Sequence, residues 1–229
     1  MHLTKGEGDT PSERSANARR ILEEILLMDQ NGECLLKGNS SGLFVKAAQE
    51  DPQLDYLIQS VSFTETPLEH VQLFCLRYSD YGLVFGREFI RRNGGNPVFY
   101  ISTEHGDQLK RAALDLIKGG DFYNRDFTYL LPFFSIFGKD AAGKTHDYYW
   151  EREWRVPGGL RFKHEDVLLG LVQNQTDLSR FWRIAPSVPF ACADWSLDWK
   201  MFYLKERKSY RQIRCDRARD DDEDDDRDD

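Results

Sequence analysis

Tyr149-Trp150-Glu151-Arg152-Glu153-Trp154-Arg155-Val156 reads as a strand around which the rest of the chain is organised. Aromatic and β-branched residues enclose two carboxylates two positions apart, which is a strand pattern. Alternate strand residues share a face, so Glu151 and Glu153 should point one way and Trp150, Arg152 and Trp154 the other. Two like charges side by side on a pleated face are costly unless a cation or a ligand compensates them. The pair is therefore a candidate site. A plainer reading is a solvated edge strand whose glutamates pair with Arg152 and Arg155.

Just upstream, Gly138-Lys139-Asp140-Ala141-Ala142-Gly143-Lys144-Thr145 matches the phosphate-loop string GxxxxGK[ST]. That mechanism needs a helix after the string, with its N-terminus on the phosphates. His146-Asp147-Tyr148-Tyr149-Trp150 leads into a strand instead, so the string reads as a hairpin loop. Further back, Val61-Ser62-Phe63-Thr64-Glu65 alternates as a strand, with Val61, Phe63 and Glu65 on one face and Ser62 and Thr64 on the other. Thr66-Pro67 then opens a helix over residues 68–76, with Thr66 as N-cap. A strand that presents two hydroxyls and ends at a helix start suits a polar or anionic ligand, although such junctions are also routine.

Around these lie ordinary elements. His2-Leu3-Thr4 is a short first strand. Thr10-Pro11-Ser12-Glu13 is a capping box opening a helix to about Met28, ended by Asn31-Gly32, with Ile21, Leu22, Ile25 and Leu26 as its apolar stripe. Residues 43–48 suggest a short helix stopped before Pro52, and residues 54–58 are ambiguous. Strands are expected over 81–85, 97–101, 160–163 and 167–172. A helical turn is expected over 88–92 and an amphipathic helix over 108–118. The aromatic run 122–137 fits neither period, residues 178–184 fit a helix turn or an edge strand, and 186–192 a loop or strand. Residues 195–208 read as a terminal helix. The resulting fold class is α+β: a central mixed, mostly antiparallel sheet flanked by the 11–28 and 109–118 helices.

Of 229 residues, 40 % are hydrophobic, enough for a substantial core. We divide the chain into one α+β domain, 1–215, and a disordered acidic tail, 216–229. Ten acids and three arginines in that tail account for most of the net charge of −8; the body holds 29 acids against 28 bases. A near-neutral body gives no footprint for duplex nucleic acid. The tail serves solubility, docking onto a basic partner, or mimicry of nucleic acid. Cys34, Cys75, Cys192 and Cys215 form no CxxC pair, and His2, His70, His105, His146 and His164 are scattered without HExxH. Reduced cytoplasmic thiols and no metal are expected. The start lacks a signal-peptide run, and the apolar stretch 129–137 is broken by Pro132 and too short to span a bilayer. No GxSxG is present.

His2-Leu3-Thr4, Val61 to Leu68, Tyr81-Gly82-Leu83-Val84-Phe85, Asn96 to Tyr100 and Glu151 to Val156 together resemble the AbiGi-type abortive phage-resistance proteins and their bacterial relatives, over about residues 2–172. That resemblance implies phage defence, an antitoxin role and a cognate toxin or antitoxin partner. A looser similarity is to ADP-ribosyltransferases, which carry a first-strand His or Arg, a Ser-x-Ser/Thr strand and a Glu-x-Glu strand. His2, Ser62 with Thr64, and Glu151 with Glu153 occupy those positions here. The similarity implies NAD as substrate, held by His2, Thr4, Ser62, Thr64 and Tyr81. Glu153 would stabilise the oxocarbenium as nicotinamide leaves, Ser62 would orient Glu153, and Glu151 would activate an acceptor the sequence does not identify. Tyr81 or Phe63 would stack on nicotinamide. This reading requires Glu153 within about 10 Å of Ser62. The alternative is a non-catalytic antitoxin or sensor module, in which the glutamates pair with arginines.

Overall fold

The computed structural model describes residues 1–65, 70–102, 107–118, 126–139, 145–146 and 151–195. The expected segments 66–69 and 147–150, the loop 140–144, the terminal helix beyond Trp195, Cys215 and the acidic tail lie outside these residues.

Helix α1 (Pro11–Leu26) begins as its sequence requires. Thr10 accepts from the Glu13 N–H, the Glu13 carboxylate accepts from the Thr10 N–H, and Pro11 occupies the first turn. Ala18, Leu22 and Leu26 form its buried stripe. The helix stops earlier than the sequence suggests, because Leu27 is already extended. Asp29 then accepts from the Asn31 and Glu33 N–H groups, and Gly32 takes φ 72° in the turn.

Two four-stranded sheets follow. The first runs β1 (His2–Leu3), β5 (Gly82–Phe85), β12 (Val167–Val172), β13 (Phe190–Cys192), with only the β12–β13 pair parallel. The second runs β3 (Asn39–Ser40), β4 (Gln59–Thr64), β10 (Glu153–Pro157), β6 (Asn96–Pro97), all antiparallel. A ribbon of β2 (Cys34–Lys37) and β11 (Gly159–Phe162) and a three-stranded sheet of β7 (Phe99–Ser102), β8 (Phe134–Lys139) and β9 (Thr145–His146) complete the strands. The architecture is α+β with mixed, mostly antiparallel sheets, as the sequence pattern indicates.

Strand β1 joins the two large sheets. It pairs with β5, while the Met1 carbonyl accepts from Thr64 N–H at 2.7 Å and the Met1 amine donates to the Thr64 carbonyl at 2.7 Å. The largest core lies between α1, these sheets and α7 (Gln175–Ile184), around Leu22, Phe85, Phe162, Phe181 and Phe190. Asn174 caps α7, so residues 178–184 are helix rather than edge strand. A second core gathers α2 (Val45–Ala48), α3 (Pro52–Ile58), α6 (Asp107–Lys118) and a 3-10 run over Asp126–Phe133, around Phe44, Ile58, Ile101 and Leu131. The ambiguous segment 54–58 belongs to α3, started by Asp51, which accepts from two backbone N–H groups, and by Pro52.

Three further expectations change. The expected strand 97–101 splits: β6 pairs with β10, whereas β7 pairs in parallel with β8. The helix after β4 is α4 (Val71–Arg77). The aromatic run resolves into the 3-10 segment and β8. The phosphate-loop string is a hairpin at its two ends, because Gly138 pairs with His146 and Lys139 with Thr145 in antiparallel register. Helix α5 (Arg87–Arg92) follows β5 as expected.

Candidate functional site

The site begins with the register of two strands. Ser62 lies opposite Arg155 and Thr64 opposite Glu153, so both hydroxyls share a face with Glu153 and Arg155. Phe63 and Trp154 pair on the other face, where Glu65 accepts from the Trp154 indole at 3.1 Å and holds Arg152 at 3.1 Å. The alternation read from the sequence therefore assigns the faces of β4 and of β10 from Glu153 onward. It misplaces the start of β10. Arg152 takes φ 48°, outside extended geometry, so Glu151 precedes the strand instead of sitting on its pleat. Both carboxylates nonetheless line the same cavity.

That cavity has a volume of about 370 Å³. Ser62, Thr64, Glu151, Glu153 and Arg155 form its polar wall, and Ser135 and Ile136 of β8 face them. Met1, Leu3, Phe74 and Tyr78 add apolar and aromatic surface; Gly42 and Phe63, whose ring packs on Phe85 in the main core, also line it. Its size lies in the ordinary range for small-ligand sites, roughly 300–1,000 Å³.

Glu153 is held on both oxygens. Ser62 Oγ donates to its Oε1 at 2.6 Å, and Arg155 donates from Nε at 2.8 Å and from Nη2 to Oε2 at 3.2 Å. The Tyr100 hydroxyl lies 3.5 Å from Oε2, and burial, then the Glu153 charge, push its phenol well above the usual range. Arg155 is 3 % exposed and places Nη1 on the carbonyls of Pro132, at 2.7 Å, and Phe134, at 3.2 Å. One guanidinium thus ties β10 to the 3-10 segment and β8. Gly42 permits this approach. Its φ is +93°, and a Cβ there would lie 2.2 Å from the Phe134 carbonyl and 2.5 Å from Arg155 Nη1. Tyr78 donates to the Glu151 carboxylate, and Thr64 Oγ1 donates to the Glu151 carbonyl at 2.6 Å.

The residues singled out from the sequence separate into two groups. Ser62, Thr64, Glu151, Glu153 and Phe63 line the cavity. His2 stands beside it: its Nδ1 bonds the Ser62 carbonyl at 2.9 Å, its ring packs 5.7 Å from Phe63, and burial depresses its pKa. Thr4 and Tyr81 are not among the cavity's lining residues. Thr4 is buried and donates to the Ala18 and Tyr81 carbonyls. Tyr81 is 1 % exposed and donates to Asp177 at 2.7 Å, packed on Phe181 within the main core. Its position beside a glycine strand gave no hint of a partner 96 residues away. The plainer reading of the sequence named Arg155 as a partner of the glutamates, and the structure bears this out for Glu153. Reading the sequence missed Tyr78, Ser135 and Gly42, which carried no signal.

Among the described residues, no group of three or more His, Cys, Asp or Glu is placed to hold a metal ion, and no helix is long and apolar enough to cross a membrane.

Fold and site define an α+β protein with a carboxylate–guanidinium cavity beside the junction of two sheets. The family model described as "Putative abortive phage resistance protein AbiGi, antitoxin" matches residues 57–182, more than half of the chain, and the protein belongs to that family. The match takes in Ser62, Thr64, Tyr78, Glu151, Glu153 and Arg155, but not His2. The family places the chain in phage defence by abortive infection. No curated protein and no solved structure matches the chain.

Proposed function

We propose that this protein is a non-catalytic antitoxin of an abortive-infection system, which acts by binding its cognate toxin rather than by turnover. One observation carries the reading: Glu153 accepts from Ser62, from two nitrogens of Arg155 and, at 3.5 Å, from the Tyr100 hydroxyl, four donors for about four acceptor sites. Its lone pairs are committed to donors of the protein itself, so a substrate hydroxyl must displace one of them. A carboxylate that works on a substrate keeps acceptor capacity for it. The test is neutralisation. Growth of cells expressing the cognate toxin should be restored by wild type and by Glu153→Gln alike, provided the variant folds. Loss of rescue with folded Glu153→Gln would argue for turnover at this carboxylate.

A second reading has its own support. His2, Ser62 and Glu153 are linked in sequence by hydrogen bonds, with Ser62 Oγ 2.6 Å from Glu153, beside a cavity of ligand size. This is the order that NAD-dependent ADP-ribosyl transfer would use: hydroxyl-binding His2, orienting Ser62, and Glu153 on the oxocarbenium. Transfer of label from adenylate-labelled NAD to lysate protein and nucleic-acid fractions decides between them. Label with wild type and none with Glu153→Gln would overturn the binding reading. No label with either folded protein would remove the transferase.

A further inference from the structure

We infer that the cavity is a receptor for an uncharged aromatic side chain with a polar tip, a tyrosine of the protein partner, and that Ser135 is the group that meets its hydroxyl. The inference rests on the binding-module reading above and names what that module recognises. Among the described residues that line the cavity, Ser135 is the one polar side chain with no hydrogen-bond partner in the protein, although it is only 8 % exposed. The other hydroxyls of the wall are engaged. Ser62 donates to Glu153, Thr64 to the Glu151 carbonyl and Tyr78 to the Glu151 carboxylate. Buried polar groups are paired as a rule, so a lone hydroxyl on a cavity wall marks the place of a guest's polar atom. The charged groups are engaged too. Glu153 and Arg155 answer each other, Arg155 also donates to two backbone carbonyls, and Glu151 has Tyr78 and further interactions within the chain. A charged group entering here would lose its water without gaining an uncommitted counter-ion, so an uncharged guest is favoured.

The remaining walls suit the same guest. Phe74 and Tyr78, one helical turn apart at the end of α4, stack with ring centroids 6.5 Å apart and planes 24° apart. Both line the cavity, and Met1, Leu3 and Ile136 add apolar surface. An aromatic ring packs on such walls, and the Ser135 hydroxyl, which can donate or accept, suits a phenolic O–H. Phenylalanine brings no atom for Ser135, and arginine or lysine brings a charge for which the cavity holds no uncommitted partner. About 370 Å³ leaves room for the side chain and bridging water. Tyrosine is among the residues enriched in the buried centres of protein interfaces.

The experiment is an NMR titration of the full chain with N-acetyl-tyrosine methylamide, N-acetyl-phenylalanine methylamide, which lacks only the hydroxyl, N-acetyl-arginine methylamide, and nicotinamide mononucleotide. The tyrosine amide should bind saturably, with shifts centred on Ser62, Thr64 and Ser135, and about five-fold tighter than the phenylalanine or arginine amide. Ser135→Ala should bring tyrosine binding down to the phenylalanine level and leave phenylalanine binding unchanged, a coupling that a merely structural role would not give. Because the Ser135 hydroxyl holds no other group of the protein, the Tm of the variant should not fall below that of wild type. The comparison of the amides on wild type needs no variant. Equal binding of the tyrosine and phenylalanine amides, tighter binding of the arginine amide, no binding, or nucleotide binding that the tyrosine amide does not displace would each overturn the inference. So would a tyrosine preference that survives in Ser135→Ala, or a lowered Tm, which would show the hydroxyl bonded inside the protein. Failure here together with intact toxin rescue removes only the pocket's assigned guest; failed rescue by wild type with intact tyrosine binding removes only the antitoxin reading.

Discussion

Replacing Arg155 by Met tests the arrangement most directly, because four hydrogen bonds converge on this buried side chain. Met preserves apolar bulk and removes the charge. Glu153, whose side chain is 14 % exposed, then keeps Ser62 but loses its cation. The Pro132 carbonyl loses its guanidinium donor; the Phe134 carbonyl still accepts from the Leu43 N–H at 3.0 Å. Removing one partner of a buried pair costs roughly 3–5 kcal/mol, most of it from the charge left behind. For a chain of this length that corresponds to a fall in Tm on the order of 10 °C. The assay is urea denaturation of wild type, Arg155→Met, Glu153→Gln and the double variant. Removing the stranded charge should restore part of the loss, so the double variant should be more stable than the sum of the singles implies, by about 2 kcal/mol. Strict additivity, or a loss below about 1 kcal/mol in Arg155→Met, would refute the claim that this pair locks β10 to the neighbouring segments.

Gly42→Ala should destabilise by more than about 2 kcal/mol, since the added Cβ meets the Phe134 carbonyl and Arg155 at a positive φ; a neutral result in the same urea series would mean the loop yields freely. Thr10→Ala should cost about 1 kcal/mol by removing the α1 cap, with an unchanged denaturant slope. His2 has a pH signature. Burial lowers its folded pKa, so the unfolded chain binds the extra proton first. The stability this neutral imidazole supports is intact above about pH 6.5 and is lost as pH falls toward the folded value. Between pH 7 and 5, comparison of wild type with His2→Gln should show the shallower slope in the variant. The Met1 amine, pushed down to about 5 by burial, titrates in both proteins, and its charge also lowers the His2 pKa, so the difference in slope reports His2 together with its coupling to the amine. Parallel slopes would place His2 in solvent.

What the sequence disclosed follows the range of the forces involved. Local signals were legible: the Thr10–Glu13 capping box, the alternation that puts Ser62 and Thr64 on one face, and the hairpin at Gly138–Thr145 all depend on neighbours within a few residues. Long-range pairing was not. The parallel alignment of β7 with β8 separates the residues on either side of Val98, and nothing in 97–101 announces that split. Tyr81 looked available for stacking on a ligand, but Asp177, itself 2 % exposed, takes its hydroxyl from across the core. The break at Arg152 had no signature either, since arginine is not a residue that favours positive φ.

The same limit explains why the carboxylate pair was readable while its meaning was not. A sequence shows two glutamates that need compensation; it does not show whether a ligand or the protein supplies it. Here the two needs are met differently. Glu153 is neutralised from its own strand by Arg155, which costs nothing in chain connectivity because the two residues are already on one face. Glu151, displaced from the pleat by Arg152, lies beyond that arrangement and accepts from Tyr78 at the helix end instead. The two carboxylates thus have different anchors: the Glu153–Arg155 pair holds β10 to the 3-10 segment and β8, while Tyr78 ties Glu151 to the end of α4.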